Sequence, residues 1–387
     1  PLRDHVALNS RTRNNPPQMN RRHFLAQSPV AAAAVLAASR SEAAERAAAS
    51  NPGPYAPEPK PGPVVKPGEF VFAAAHFDHG HISGQCSALA EAGGTLRWIF
   101  EPDAKKLVTA AAVTSERAAV GLRVMDAGKD YFTDKAPFTT LAQLEQARAA
   151  VRRTGRKYFT YYSERLHSEA GMFATQLVRE GVVGRVVQVV GLGPHRLNRP
   201  TRPAWFFEKA RYGGILCDIG SHQCEQFLTY TGARDARVTH AAVGNFANPE
   251  TPELEDFGEA SFVADNGATN QIRVDWFTPD GLSNWGDGRT FILGTKGFIE
   301  LRKYVDLTRD RTGNQVYIVD GKGEYQVNVA GRVGYRFFGE FILDCLNRTE
   351  KAMTQEHAAA SSPARRTKTI SSFHSFTATE KLRRRGR

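Results

Sequence analysis

The chain has little of the material from which disulfide frameworks and membrane spans are built. Its four cysteines in 387 residues lie far apart and form no C-x-x-C pair (Cys86, Cys217, Cys224 and Cys345). Disulfide frameworks and zinc fingers therefore lack the spacing that they need. The alanine-rich run at 30–38 is too short to cross a bilayer core of about 30 Å. We expect reduced, buried thiols and no stable membrane insertion.

An evenly spread excess of basic charge is also lacking, although the net charge is +11. Residues 1–50 carry seven basic and three acidic side chains, and residues 361–387 carry eight and one, which leaves 36 of each sign between them. Nucleic-acid binding requires a basic face on a folded domain. Since the excess lies in two tails, we expect no nucleic-acid partner.

The first 68 residues have the features of a leader and a linker. Met19 is followed by Asn20-Arg21-Arg22-His23-Phe24-Leu25 and the alanine-rich run, with small residues at 47–49 where a leader could be cleaved. This pattern predicts a twin-arginine export signal, and hence a periplasmic or extracytoplasmic protein; a disordered basic arm is the alternative. Residues 1–18 would then lie upstream of the start. Seven prolines between 52 and 68 predict an extended tether.

The chain after residue 69 begins with the pattern of a dinucleotide-binding unit. A strand at 70–75, a turn containing Gly80, a helix at 88–92 and a strand at 96–100 ending in Glu101 follow one another. Gly80, His81 and Ile82 are candidate cofactor residues, and Glu101 would accept the ribose hydroxyls, which favours NAD over NADP. The glycine fingerprint is only partly matched, because Asp78 and Ser83 replace its first and third glycines.

Further alternating units predict an α/β domain of the Rossmann type over residues 69–163. Strands are expected at 107–113, 130–133 and 157–162, and helices at 115–127 and 141–153. Such units form a parallel sheet with ligands at the carboxyl ends of its strands. About seven residues after Glu101 reach only about 23 Å, too short for the helix and edge strand of a normal unit. We infer that one βα unit of roughly 25 to 30 residues is missing there.

A second domain, of the α+β class, is predicted for residues 164–357. A helix at 167–180 and a strand at 185–190 are followed by paired strands with turn signals between them, such as Asp265-Asn266-Gly267. This pattern predicts a large, mainly antiparallel open sheet. Residues 358–387 lose apolar periodicity and are expected to form a basic, disordered tail.

Two groups of residues carry candidate chemistry. Lys135 directly follows a predicted strand of the parallel sheet, so its ammonium would project at the cofactor rim and polarise a hydroxyl or carbonyl. Asp218 and His222 are spaced i and i+4 and would share one face of a helix. Hydride removal from a carbinol requires a base for the hydroxyl proton, which histidine can supply, and a nearby carboxylate would raise its basicity. A turn lysine, a capping aspartate and a structural histidine are the alternatives.

These two groups and the glycine turn resemble the glucose–fructose oxidoreductase and inositol dehydrogenase (Gfo/Idh/MocA) family. Its G-G-x-x-x-D-x-x-x-H motif is matched from Gly213 to His222, and its E-K-P motif is approximated by Asp134-Lys135-Ala136-Pro137. The resemblance covers roughly residues 70–357. It implies an NAD(P)-dependent oxidoreductase of sugars or polyols, with Lys135, Asp218 and His222 at the reacting carbon. It also implies a tightly held nucleotide and a homo-oligomer formed through the open sheet.

Other polar and aromatic residues near the predicted cleft could contact the substrate. Arg165, His195 and Trp276 are the substrate-binding candidates. The run from His76 to His81 has a competing interpretation as a metal site, but its order is H-x-D-H-x-H rather than the H-x-H-x-D-H of metallo-β-lactamase-like hydrolases, and no further ligand can be named. We therefore expect no metal.

The sequence leaves three hypotheses for function. The first is an exported oxidoreductase that transfers a hydride between bound NAD(P) and a sugar or polyol. The second is a glycoside hydrolase that uses NAD as a recycled redox cofactor. The third is a sugar-binding relative that no longer turns over a substrate. The incomplete nucleotide-binding unit is the reason for this hypothesis.

Overall fold

Residues 53–76, 79–100, 112–307, 312–361 and 375–377 are described by the computed structural model of the chain. The predicted leader, Glu101, most of the predicted strand at 107–113 and nearly all of the basic tail lie outside these residues. Among the described residues, no helix is both long and apolar enough to cross a membrane.

The first part of the described chain alternates strands and helices. The elements are β1 (Val71–Ala75), α1 (His81–Glu91), β2 (Thr95–Phe100), α2 (Arg117–Asp126), β3 (Tyr131–Asp134), α3 (Leu141–Thr154) and β4 (Tyr158–Tyr161). β1 pairs with β2 and β3 pairs with β4, both in parallel. The described residues thus form two parallel pairs rather than one continuous sheet. Ala112 and Val113, the described end of the strand predicted at 107–113, are not in a strand.

Strand β2 is the exposed edge of the first parallel pair. Its last residues Trp98, Ile99 and Phe100 are 58%, 55% and 60% exposed. A doubly wound sheet normally covers such a strand with helices on both faces and with a further strand at its edge. This exposed stretch lies directly before the position at which the sequence predicts a lost βα unit.

The rest of the chain is built on one large sheet. Helices α4 (Ser163–Leu166) and α5 (Glu169–Arg179) precede it, and α6 (Lys209–Tyr212), α7 (Ile215–Asp218) and α8 (Gly220–Thr231) lie between its first and second strands in the chain. The strands are β5 (Val186–Pro194), β6 (Ala236–Asn245), β7 (Phe257–Ala264), β8 (Thr269–Asp275), β9 (Arg289–Gly294), β10 (Phe298–Arg302), β11 (Gln315–Val319), β12 (Glu324–Asn328) and β13 (Ser375–Thr377). Helices α9 (Arg336–Asn347) and α10 (Gln355–Ala360) follow β12.

The strand order of this sheet is β12-β11-β10-β9-β5-β8-β7-β6-β13. All neighbours are antiparallel except β5 with β8 and β6 with β13. The prediction of a large, mainly antiparallel open sheet is confirmed. Each predicted hairpin is present, including β7–β8 across Asp265-Asn266-Gly267.

Alternating burial gives the sheet one covered and one open face. Along β7 every second residue is buried, as expected for a sheet packed on one side. The covered face forms the main core with α5 and α8, through residues such as Phe173, Phe227 and Ile292. The open face carries large apolar side chains: Val187, Phe291, Leu293 and Phe298 are each more than a third exposed.

One helix begins earlier than predicted. α1 begins at His81 and not near residue 88, because the glycines at 80 and 84 do not prevent an early start. The helix predicted at 167–180 is present as α5, and Ser168 caps it by accepting a hydrogen bond from the Gly171 amide. The short helix α4 before it was not predicted.

Candidate functional site

The candidate site lies where several strands end. Lys135 directly follows β3, His195 follows β5 and Trp276 follows β8. Glu164 lies in the short helix α4, which follows β4. Because β3 and β4 are parallel, as are β5 and β8, their carboxyl ends meet at shared edges, where open α/β sheets bind ligands.

These side chains line one cavity of about 360 Å³. Its lining combines charged, histidine and aromatic side chains, drawn from both the parallel pairs and the large sheet. The residues are His79, His81, Thr114, Arg117, Lys135, Ser163, Glu164, His195, Arg196, Arg202, Trp205, Phe206, Tyr212, Asp218, His222, Trp276 and Trp285. An apolar pocket with a few converging polar groups is the usual form of a small-molecule site.

Lys135 and Asp218 form a buried ion pair in this cavity. The Lys135 Nζ donates to Asp218 Oδ1 at 2.5 Å, and the two residues are 5% and 8% exposed. Burial raises the pKa of the Asp218 carboxyl, but the Lys135 ammonium outweighs it and brings that pKa below its ordinary value. The site therefore holds a fixed ammonium and carboxylate, 83 residues apart in sequence.

His222 is a neutral imidazole in the same cavity. It is 1% exposed, and burial lowers its pKa to about 3, although the negative charge of Glu164 acts in the opposite direction. Its Nδ1 has no hydrogen-bond partner among the described residues. Buried polar atoms are nearly always hydrogen-bonded, so this nitrogen is placed to meet a group that enters the cavity.

A pair of glycines sets the positions of Asp218 and His222. Gly213 and Gly214 have φ of +91° and +89°, and these left-handed conformations are strained for other residues. They turn the chain into α7, where Glu255 Oε2 accepts a hydrogen bond from the Ile215 amide. Asp218 ends α7 and His222 lies in the first turn of α8, so the predicted single helix is two consecutive short ones.

Glu164 is a candidate that the sequence analysis did not identify. It is 2% exposed, and its Oε2 accepts hydrogen bonds from Lys303 Nζ at 2.6 Å and Gln223 Nε2 at 2.9 Å. Its Oε1 has no partner among the described residues. Burial raises its pKa, but Lys303 and the neighbouring histidines outweigh this and lower the pKa to about 2. The available signal was its place directly after the predicted strand at 157–162.

Aromatic rings form one wall of the cavity. The His195 ring centroid lies 5.4 Å from that of Trp276 and 4.4 Å from that of Trp285. The Arg202 guanidinium lies 5.0 Å from the Trp276 ring centroid. The Trp276 Nε1 is buried without a partner among the described residues. This wall offers flat apolar faces with polar edges, and it includes two predicted substrate contacts, His195 and Trp276.

The residues predicted to bind the nucleotide lie in different environments. Gly80 precedes α1, whose N-terminus receives no cap from the described side chains, and a Cβ at Gly80 would have no described atom within 4 Å. An uncapped helix start with open space before it fits a phosphate group. His81 lines the cavity and hydrogen-bonds Asp134 at 2.9 Å, whereas Ile82 is 7% exposed and packs in the interior. Glu101 lies outside the described residues.

Arg165 is not brought to this cavity. Its Nε and Nη2 donate hydrogen bonds to the buried carboxylate of Glu225. Arg165 lines a separate cavity with residues of α5 and α9. In the described structure its guanidinium therefore balances an internal carboxylate, away from Lys135 and His222.

A family model, the GFO/IDH/MocA C-terminal domain, matches residues 172–300. Among solved structures, a protein of Erwinia carotovora atroseptica named as an oxidoreductase is 44% identical, with a TM-score of 0.74, 80% of this chain covered and 100% of that chain. None of the curated proteins matches this chain.

More distant structures share the fold. An aldose–aldose oxidoreductase of Caulobacter crescentus, complexed with glycerol, is 18% identical, with a TM-score of 0.61, 82% of this chain covered and 98% of that chain. A levoglucosan dehydrogenase, complexed with NADH and levoglucosan, is 15% identical, with a TM-score of 0.56 and coverages of 76% and 85%. These likenesses confirm the predicted class, a Rossmann-type nucleotide fold followed by a large, mainly antiparallel sheet.

Proposed function

This chain belongs to the Gfo/Idh/MocA family of oxidoreductases, and on that premise we propose that it is an NAD(P)-dependent dehydrogenase of a sugar or polyol. It would transfer a hydride between the nicotinamide cofactor and a carbinol carbon of the substrate. The observation that carries the proposal is the meeting of the Lys135–Asp218 pair and neutral His222 in one cavity. The levoglucosan dehydrogenase that holds NADH and levoglucosan supports the substrate class.

The chain's own residues supply acid–base chemistry at the reacting hydroxyl. The ammonium of Lys135, held by Asp218, polarises the hydroxyl oxygen and stabilises the negative charge that develops there. The unpartnered Nδ1 of His222 accepts the hydroxyl proton as the carbonyl forms. In the reverse direction the same nitrogen returns that proton. Burial keeps the His222 imidazole unprotonated at neutral pH but also makes it a weak base. Proton transfer to it therefore depends on Lys135, which stabilises the negative charge on the substrate oxygen, and on Glu164, whose negative charge favours the imidazolium.

Substrate recognition would use Glu164 and the aromatic wall of the cavity. The free Oε1 of Glu164 accepts a hydrogen bond from a second substrate hydroxyl, with its charge already balanced by Lys303. Trp276 and Trp285 offer flat faces to the carbon skeleton, and the Trp276 Nε1 donates to a third hydroxyl. A site built to bond hydroxyls discriminates strongly against analogues that lack them.

The nicotinamide cofactor supplies the hydride acceptor or donor when it is bound. The N-terminus of α1 at Gly80 would hold its phosphates, and Lys135 would lie beside its nicotinamide. Glu101 would accept the ribose hydroxyls, which favours NAD over NADP. A tightly held nucleotide, as the family resemblance implies, would suit an enzyme that works outside the cytoplasm.

Nucleotide analysis followed by a substrate screen tests the proposal. We expect mass spectrometry of the supernatant of denatured full-length protein to show NAD or NADP, or the protein to take up added NAD. With the nucleotide present, a panel of levoglucosan, aldoses and cyclic polyols should include a compound that changes the absorbance at 340 nm. Absence of nucleotide binding would contradict any NAD-dependent activity and favour the sugar-binding relative.

The alternative hydrolase function has its own readout in the same preparation. Aryl glycosides would release the aryl group without net NADH formation if the nucleotide is only a recycled redox cofactor. A dehydrogenase would instead form NADH in proportion to the oxidised sugar. We expect the second outcome.

We further propose export by the twin-arginine route, which is supported by Arg21-Arg22 and the alanine-rich run after them. This route carries folded proteins, so the nucleotide could be acquired before export. Replacing both arginines by lysine should retain the full-length chain in the cytoplasmic fraction of a bacterial host. An unchanged distribution would contradict the proposal.

We also propose that two copies associate through the open face of the large sheet, as the family resemblance implies. The exposed apolar side chains on β5, β9 and β10 support this arrangement, because contiguous apolar patches on soluble proteins often mark interfaces.

A further inference from the structure

Three metal-ligating side chains meet at the edge of the cavity. His79 and His81 come from the turn after β1 and the start of α1, and Asp134 is the last residue of β3. Each offers one donor atom, and the three donor atoms all lie within 4.8 Å of one another. The sequence offered only the run from His76 to His81, for which no metal was expected; the fold adds Asp134, 53 residues after His81.

Asp134 is the shared partner of both histidines. The Nδ1 of His81 lies 2.9 Å from Asp134 Oδ1 in a hydrogen bond. The Nδ1 of His79 is buried and lies 3.2 Å from Asp134 Oδ2, so each carboxylate oxygen of Asp134 faces one histidine. At these distances an imidazole nitrogen meets a carboxylate oxygen either by donating its proton or by sharing a cation with it.

The spacing is that of a small metal site. Zn²⁺ binds histidine nitrogen and carboxylate oxygen at about 2.0–2.2 Å, so neighbouring ligand atoms of a tetrahedral site lie roughly 3.3 Å apart. The two nitrogen–oxygen distances are 2.9 Å, from His81 to Oδ1, and 3.2 Å, from His79 to Oδ2, so one ion would be shared by both histidines after small side-chain rotations. Two imidazoles and one carboxylate suit Zn²⁺, Co²⁺ or Ni²⁺ and not Mg²⁺ or Ca²⁺, which prefer oxygen ligands alone.

Arg117 holds the carboxylate of this group in place. Its Nη2 donates to Asp134 Oδ2 at 3.4 Å, and its Nε donates to the Ala112 carbonyl at 2.8 Å. Asp134 is 1% exposed, and its Oδ1 lies on the side of His81. Carboxylates that bind metals are commonly fixed by hydrogen bonds of this kind. The positive charge of Arg117 limits the affinity, so binding in the micromolar range is expected and not that of a structural zinc site.

We propose that His79, His81 and Asp134 form a binding site for one divalent transition-metal ion. Because both histidines line the same cavity as Lys135 and His222, the remaining coordination position faces that cavity and can take an oxygen donor. The proposal does not depend on the dehydrogenase function, since it rests only on the three ligands and their surroundings.

Cobalt titration tests the site directly. Full-length protein treated with a chelator and dialysed is titrated with Co²⁺, and its visible absorption is recorded. We expect one Co²⁺ per chain with the intense absorption of a four-coordinate ion, and its loss on addition of Zn²⁺. Absence of that absorption, or six-coordinate binding only, would overturn the proposal.

Matched variants identify the ligands. His79→Gln and His81→Gln should each weaken Co²⁺ binding at least tenfold. His240→Gln is the control, because His240 also lies 3.2 Å from a carboxylate oxygen, that of Glu259, but on the exposed surface of the large sheet. Equal affinity in all three variants would assign the Co²⁺ to another site. Circular dichroism confirms that each variant folds, and neither histidine is needed to balance Arg117.

Discussion

At the scale of single residues, the chemistry depends on charges that the fold has already balanced. Lys135 faces Asp218, Lys303 faces Glu164 and Arg165 faces Glu225, and all six side chains are buried. Removing one partner of a buried pair is strongly destabilising, whereas removing both is much less so. This difference allows the catalytic and the structural effects of Lys135 to be separated.

We predict that Lys135→Met lowers the free energy of unfolding by about 3 kcal/mol and turnover by a factor of about 10² to 10⁴. Adding Asp218→Asn should recover most of the stability, because no buried charge is left unpaired, but no turnover. Urea denaturation and the 340 nm assay measure the two effects. Lys157→Met is the control, since Lys157 is also 5% exposed but pairs with Glu350 away from the cavity. If the double variant Lys135→Met with Asp218→Asn regained turnover, Lys135 would not be required for the reaction.

The lowered pKa of His222 predicts that the free energy of unfolding depends on pH. Its pKa is about 3 in the folded protein and near 6.5 when unfolded. Between these values the unfolded chain binds a proton that the folded chain does not, so stability is full above pH 6.5 and falls as the pH decreases. From pH 7.5 to 5.5 this residue alone should reduce the free energy of unfolding by about 1.4 kcal/mol.

The variant His222→Gln isolates this contribution. Other buried histidines and carboxylates titrate in both proteins, so their effects cancel in the comparison. We expect the loss of stability between pH 7.5 and 5.5, measured by urea denaturation, to be smaller in the variant by about 1.4 kcal/mol. Equal losses would mean that His222 is protonated, or open to water, in the folded protein.

At the scale of elements, local signals predicted the sheet better than the site. Asp265-Asn266-Gly267 fixes the β7–β8 hairpin because its turn chemistry is local. By contrast, the pairing of His81 with Asp134 and of Glu164 with Lys303 joins residues 53 and 139 positions apart. No periodicity encodes such contacts. The spacing of Asp218 and His222 was informative because one short segment carries both residues.

The Gly213-Gly214 turn is the element on which that spacing depends. A Cβ at Gly214 would lie 2.7 Å from Glu255 Oε2, the oxygen that accepts from the Ile215 amide. Gly214→Ala should therefore displace Glu255 as well as strain the backbone, and should cost about 2–3 kcal/mol of stability and reduce turnover. Gly128→Ala is the control: its φ is +73°, with no described atom near its Cβ.

Gly128→Ala should cost only about 1–2 kcal/mol, from backbone strain, and leave turnover unchanged. Urea denaturation and the 340 nm assay again give the two quantities. If both alanine variants lose the same stability and neither loses turnover, the contact between Gly214 and Glu255 does not position α7 and α8.

At the scale of the whole molecule, large apolar side chains are exposed both on strand β2 and on the open face of the large sheet. The exposed apolar residues of β2 adjoin the position at which the sequence predicts the loss of a βα unit, from the reach of about seven residues. Those of the open sheet lie in the middle of a long, regular sheet, where no segment is missing. Exposed apolar surface thus has two explanations here: a predicted lost unit beside β2, and an interface on the sheet face. Only the interface predicts a partner, which is a second copy of this chain.

The sheet face predicts that the protein is a dimer in solution. Phe298 on β10 is paired in register with Leu293 on β9, and Phe291 lies two residues before Leu293 on the same face, so the three side chains form one patch. We expect Phe291→Lys with Leu293→Lys to shift the molar mass measured by light scattering from that of a dimer to that of a monomer, because two buried, unpaired ammonium groups oppose association. Leu346→Lys, on the exposed side of α9, should leave the dimer intact. A monomeric parent protein, or a double variant that remains dimeric, would show that this face is not the interface.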